Sequence, residues 1–279
     1  MSDIDRQVCL VTGATSGLGQ ALALALAHQG WSIVLLARNP SRGEAALAAV
    51  RQAGAAKAQL ILCDLSDLSS VRRAAAELSY RHARLHLLVN CAAVYRAKRE
   101  VTQDGLETMF ATNHLGPFLL THLVLELLRA AGSARVLTVT APSTVRPDFA
   151  DLQGAQRFRS LQAFGATKMA NLLFTFALAR RLQGSSVTAN AVHPGIFRSG
   201  LMRQAPAPMR WMTGVMGSSP QRAAEPVFRV ATDPVFATHN GRFFHKGEEI
   251  TPPAYALDVP AQERLWQESL HLASLEAGS

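Results

Sequence analysis

Acidic residues, cysteines and aromatics are all scarce in this chain. Its 279 residues hold 20 Asp and Glu against 28 Lys and Arg, three Cys, and 6% Phe, Trp and Tyr. Three cysteines make no disulfide framework, and Cys9, Cys63 and Cys91 lack metal-ligand spacing. They read as reduced thiols on strands, and no metal site is expected. No apolar run reaches the roughly 20 residues that span a bilayer before His, Gln, Glu or Arg interrupts it. Met1–Arg6 is polar and partly acidic, unlike a secretory leader, so a cytoplasmic protein is expected. Repeats and low-complexity tracts are missing too, and 48% hydrophobic residues predict one packed domain over residues 1–279. The net charge of +8 suits a phosphorylated small molecule or an acidic partner. The cations are scattered over many predicted helices with no aromatic-interleaved stripe, so no nucleic-acid partner is expected.

What the chain does have is a β–turn–α unit at its start. Val8-Cys9-Leu10-Val11 reads as a buried parallel strand. A glycine-rich turn follows, and then Ala21–His28, a run of strong helix formers. Glycines let a backbone approach a pyrophosphate, and the following helix N-terminus offers it free N–H donors. Strand and helix patterns alternate from there on. They predict an α/β fold: a single Rossmann-fold domain with a doubly wound parallel sheet of about seven strands. The second predicted strand, Ser32–Ala37, ends in Arg38 where an acidic residue would bind the ribose of NAD. Arg38 there favours the 2′-phosphate of NADP; a solvated loop arginine is the plainer alternative.

The glycine spacing, Thr12-Gly13-x-x-x-Gly17-x-Gly19, resembles the short-chain dehydrogenase/reductase family, and the resemblance runs over most of the chain. It implies an NAD(P)(H) cofactor, NADP(H) by the reading of Arg38, with Gly13, Ser16, Gly17, Leu18 and Gly19 at the phosphates. It also implies Asp64 at the adenine edge and Leu65 against the ring, although Asp64 reads equally as a turn residue. Asn90-Cys91-Ala92-Ala93 is similar to the family's N-N-A-G segment, which would place Asn90 at the nicotinamide ribose. Asn113, followed by Gly116-Pro117, matches the family's helix-kink asparagine, which holds a water in a proton relay. The same tract, with the helix after residue 162, is the surface on which family members dimerise, so a homodimer or homotetramer is expected.

The catalytic hydroxyls of that family are missing. Strand Arg135–Val139 leads to Ala141 at the position of the catalytic serine, and Phe164-x-x-x-Lys168 replaces Tyr-x-x-x-Lys. Residues i and i+4 share a helix face, so Lys168 would reach a hydroxyl at 164 and lower a phenol's pKa from ~10. Phe164 and Ala141 offer no oxygen. Thr140 should point away from Ala141; Ser143 and Tyr95 are the remaining candidate donors. The surrounding segments, Asp151-Leu152-Gln153 and Lys168–Phe174, fit the family's retinol-dehydrogenase-like branch. Three explanations stay open: deliberate removal of both hydroxyls, a natural NADP(H) binder with non-redox chemistry or a sensing role, or a substrate that finds its proton elsewhere.

Val187–His193 predicts the sixth strand, with Pro194-Gly195 as the family's turn and Ser199 implied at the nicotinamide carboxamide. His193 reads as a structural strand-end histidine. Residues 196–219 carry Met202, Met209, Met212, Met216 and Trp211 among Pro206 and Pro208. This adaptable apolar segment is expected to be a lid over a hydrophobic small-molecule substrate. The resulting expectation is an NADP(H)-dependent oxidoreductase for an apolar carbonyl or alcohol, with Asn113, Ala141, Phe164 and Lys168 at its catalytic positions.

Overall fold

The computed structural model describes residues 7–201, 203–205, 207, 211 and 215–275. Eight strands form one sheet in the order β3-β2-β1-β4-β5-β6-β7-β8. They are β1 (Val8–Thr12), β2 (Ser32–Ala37), β3 (Ala58–Leu62), β4 (Leu87–Asn90), β5 (Ala134–Val139), β6 (Val187–His193), β7 (Phe243–His245) and β8 (Glu248–Glu249). The first seven run parallel, and two-residue β8 turns back antiparallel on β7. The short return strand is an addition to the seven expected. Strand order reverses between β1 and β4, which places a ligand crevice at their carboxyl ends.

Side chains alternate through the sheet to two cores, because successive strand residues face opposite ways. On one side Cys9, Val11, Ile33 and Leu35 pack under α1 (Gly17–His28), α2 (Pro40–Gln52) and a later helix, Pro220–Thr232. On the other side Leu10, Val34, Leu36 and Ile61 pack under α3 (Leu68–Arg81) and the long tract that follows β4. That tract comprises α4 (Thr108–Phe110), a π-helical turn (Ala111–Leu115), α5 (Gly116–Leu123) and α6 (Leu125–Arg129). Then come α7 (Ser160–Arg181), α8 (Pro220–Thr232) and α9 (Val259–Leu272). Asp67 caps α3 by accepting from Ser70 N at 3.0 Å.

One expectation needs correction. Cys63 and Cys91 each lie one residue beyond a strand rather than in it, where the ladder ends and the chain turns into the crevice. Part of the surface of α5 and α7 is packed against α9 of the same chain. Trp266 of α9 packs against Phe118, His122 and Phe174 of α5 and α7, and Glu263 pairs with Arg180 and Arg181. No described helix is long and apolar enough to cross a membrane, and no metal-ligating cluster occurs among the described residues.

Candidate active site

The carboxyl end of β1 leads into the glycine turn. Gly13 has φ +68°, and a Cβ there would come within 2.9 Å of the Ala92 backbone. Gly19 is packed so closely that a Cβ would lie 2.5 Å from the Gly13 carbonyl oxygen. Two crossings of backbone are thus possible only without side chains. Ser16 is the N-cap of α1 yet makes no side-chain capping bond, and the first turn holds no acidic residue. By contrast Asn39, Asp67, Ser219 and Asp258 each cap their own helix. The N–H groups at the start of α1 therefore face the crevice without a side-chain partner, which fits a pyrophosphate there. Leu18 is buried behind them.

Thr12, named in the glycine motif but given no role by sequence reasoning, ties the turn to the neighbouring strand. Its hydroxyl accepts from Cys91 N at 2.9 Å and Ala92 N at 3.0 Å, and donates to Val89 O. Its position, at the strand end directly before a glycine turn, was the available signal. Asn90 turns into the protein: its amide donates to Thr121 at 3.1 Å, and its Oδ1 is buried without a partner. The side chain is thus an interior brace rather than a group reaching the crevice. Arg38 and Asp64 meet at the ends of β2 and β3, 3.7 Å apart. Asp64 also accepts from Ser66 N and Ser66 Oγ, so it is a turn residue as well. Leu65 is buried, its carbonyl against Gly116.

At the other half of the crevice β5 meets α7. Thr140 is buried and donates to Lys168 O at 2.8 Å, so the strand end is fastened to the helix at this residue. Ala141 follows, half-buried, with Thr140 committed to the other side. Lys168 is 8% exposed, and its ammonium lies 5.0 Å from the centre of the Phe164 ring one turn earlier. Burial lowers the Lys168 pKa to about 8, with Cys91 opposing the shift. Burial pushes the Cys91 thiol up to about 12, despite the attraction of Lys168.

Of the two candidate replacement hydroxyls, Tyr95 donates elsewhere and Ser143 only accepts. Tyr95 is buried with its ring edge-on to Phe164 at 5.7 Å, but its hydroxyl donates to Ser160 at 2.8 Å. Ser143 accepts from Val145 N and lies against Gly165. Asn113 does sit in a broken helix ladder, the π-turn. Its Oδ1 accepts from Val94 N at 2.7 Å, and its amide donates to Val94 O and to Thr167. Both amide hydrogens are used as a staple, so the side chain acts as a packed polar residue at the kink.

Beyond β6, His193 stacks on His245 with centroids 4.7 Å apart, and accepts from His245 Nδ1 through its carbonyl. Burial and the neighbouring imidazole lower the His193 pKa, in keeping with a structural histidine. After Pro194-Gly195, Phe197 and Ser199 approach the glycine turn, 3.9 and 3.8 Å from where a Gly17 Cβ would sit. Phe197 pairs with Ser218, which closes the base of the expected lid. Leu201 and Ala205 join Tyr95, Met109 and Phe164 in a small apolar cluster, while Trp211, Val215 and Met216 are exposed. Met202, Pro206, Pro208, Met209, Arg210 and Met212 lie outside the described residues.

Residues 7–209 match the short chain dehydrogenase family. Human retinol dehydrogenase 13 is 35% identical, over 99% of this chain and 87% of its own length. Mouse polyprenol dehydrogenase is also 35% identical, over 98% of this chain and 85% of its own length. A solved structure from Mycobacterium paratuberculosis superimposes with a TM-score of 0.78 at 31% identity, over 98% of this chain and 94% of that one. The Pseudomonas aeruginosa RhlG/NADP active-site complex superimposes with a TM-score of 0.70 at 25% identity, over 86% and 94%. With this strand order, this glycine turn and this lysine on α7, the chain belongs to the short-chain dehydrogenase/reductase family and is retinol-dehydrogenase-like.

Proposed function

We propose that the protein binds NADP(H) and acts, by descent, on an apolar carbonyl or alcohol, with a chemical step that lacks its general acid. The nucleotide would lie over the switch between β1 and β4. Gly13, Ser16, Gly17, Leu18 and Gly19 would hold its phosphates, and Arg38 would leave Asp64 for the 2′-phosphate. Asp64 and Leu65 would meet the adenine, Lys168 the ribose, and Pro194, Gly195 and Ser199 the carboxamide. When bound, the nicotinamide supplies hydride chemistry at its C4. The names of the relatives, retinol and polyprenol dehydrogenases, favour a long apolar substrate, as does the cluster of Tyr95, Met109, Phe164, Leu201 and Ala205.

The observation that carries this reading is the Lys168 ammonium lying over a phenyl ring. A tyrosine in that place would give the lysine a phenol to activate; phenylalanine gives it only a π face. The lysine remains able to orient a ribose, and the apolar walls remain able to exclude water. The Tyr95 hydroxyl is committed to Ser160, which leaves the Lys168 ammonium and the half-buried Ser143 hydroxyl as side-chain proton sources around the crevice. The absence of a phenol at position 164 favours a second reading, an NADP(H)-dependent protein with non-redox chemistry or a sensing role.

The test is NADPH oxidation against hydrophobic aldehydes and ketones, with this chain beside the Ala141→Ser/Phe164→Tyr double variant. Turnover by the double variant alone identifies a disabled reductase. No turnover by either, although NADPH binds, moves the non-redox reading to the front. Absence of nucleotide affinity would sink both readings.

A further inference from the structure

A second cleft, of about 910 Å³, lies beyond β6 between the β7–β8 turn and the start of α8. It shares with the proposed nucleotide site the turn Pro194-Gly195 and borders it along the segment that follows. Side chains alternate across that segment. Phe197 and Ser199 approach the glycine turn, whereas Ile196 and Arg198 line the cleft on the opposite side. This strip of chain thus presents Phe197 and Ser199 to one space and Ile196 and Arg198 to the other.

The cleft is strongly cationic. Arg198, Arg222, Arg229 and Lys246 line it against a single carboxylate, Glu225. None of these four cations is in a salt bridge among the described residues. They come from three separate elements, so the cluster is not the solvated face of one helix. Lys246 is held at φ 53°, a left-handed conformation uncommon for lysine. The Arg229 guanidinium packs against the adjoining Gly247, where a Cβ would meet it at 3.2 Å. Ile196 and Met216 add exposed apolar surface beside the charges.

We propose that this cleft is a binding site for a phosphate monoester with an apolar body, distinct from the nucleotide site. A dianionic phosphate matches several converging guanidinium and ammonium donors, and Arg presents them in a fork suited to phosphate oxygens. The apolar portion of such an ester has Ile196 and Met216 to cover it. The phosphate belongs either to a soluble ester or to a lipid headgroup, and both present the same chemistry to these side chains.

The experiment is calorimetric titration of the whole chain with hexyl phosphate, with and without saturating NADPH, and co-sedimentation with phosphatidic acid vesicles. Arg222→Gln/Arg229→Gln should weaken binding at least about tenfold, as lost charge-assisted bonds do. Arg51→Gln/Arg84→Gln makes the same change in net charge at exposed positions away from the cleft and should leave binding within about twofold. Lys246→Asn tests the site with a residue better suited to φ 53°, should the double variant unfold. Binding of hexyl phosphate alone assigns a soluble ester, and binding of vesicles alone assigns a lipid headgroup. Equal losses in the cleft and control variants, loss of binding when NADPH is added to a chain that binds it, or no binding of either probe overturns the proposal.

Discussion

The two halves of the crevice are built with equal care and to different ends. Around β1 and α1, backbone does the work: two glycines allow chain crossings, and a helix start is left without a side-chain cap. Around β5 and α7, side chains should do the work, and there the packing is retained while the oxygens are gone. Lys168 is buried, oriented and fastened through Thr140, yet it faces a ring without a hydroxyl. The difference teaches that shape and chemistry are separable. A phenyl ring fills the place of a phenol at little cost in packing, whereas the chemical step loses its proton donor.

Restoring the donor would break this contrast most sharply. Phe164→Tyr alone should raise NADPH-dependent turnover by about 10²–10⁴, the usual worth of a general acid. Ala141→Ser alone should raise it far less. Steady-state kinetics on the same apolar aldehyde panel would check both, and equal gains would show that the two positions do not have the assigned roles.

Lys168 offers a measurement that needs no substrate. Its folded pKa of about 8 lies below the ordinary 10.5, so the unfolded chain binds more protons between these values. Stability of the nucleotide-free protein should therefore rise as pH goes from about 8 to 10.5. The gain attributable to this residue is about 3 kcal/mol at most, from 1.36 kcal/mol per pKa unit. Urea denaturation should show that rise flattened in Lys168→Met, and an unchanged slope would mean that the ammonium is not desolvated.

His114 sharpens the comparison from the acid side. Its ring is buried beside Phe110 and Phe174 and bonded to Ser269, and burial lowers its pKa to about 4. Stability should fall as pH drops from 6.5 towards 4, by no more than about 3 kcal/mol from this group. In His114→Gln the same acid titration should lose most of that dependence, whatever its baseline stability.

The smallest effect belongs to the nucleotide half. Arg38→Gln should weaken NADPH binding about tenfold and leave NADH nearly unchanged, as one charge-assisted phosphate contact would. Fluorescence titration with the two nucleotides reads it directly. Equal losses for both would return Arg38 to the role of a surface partner for Asp64.

The fold was readable because periodicity and turn residues agree along most of the chain. β6 falls where the apolar pattern of Val187–His193 places it. The glycine turn and the Phe164–Lys168 spacing were readable for the same reason, since both are local. What escaped was non-local. Nothing adjacent to Asn90 tells that its amide meets Thr121, or that Asn113 is used up on Val94 and Thr167. The cationic cleft gathers residues from positions 198, 222, 229 and 246, which form no pattern until β7 and α8 are side by side. The cover over α5 and α7 depends likewise on where α9 returns.

That return has a consequence for biosynthesis. Ser269 meets His114 across 155 residues of chain, and Trp266 seals Phe118 and Phe174 in the same contact. A nascent polypeptide emerging at about 5–20 residues per second must carry the aromatic face of α5 and α7 uncovered until α9 clears the ribosome. During those seconds the face is a docking ground for chaperones and a hazard for aggregation. Synonymous codons that slow translation between α7 and α9 should lengthen that exposure without altering a single side chain.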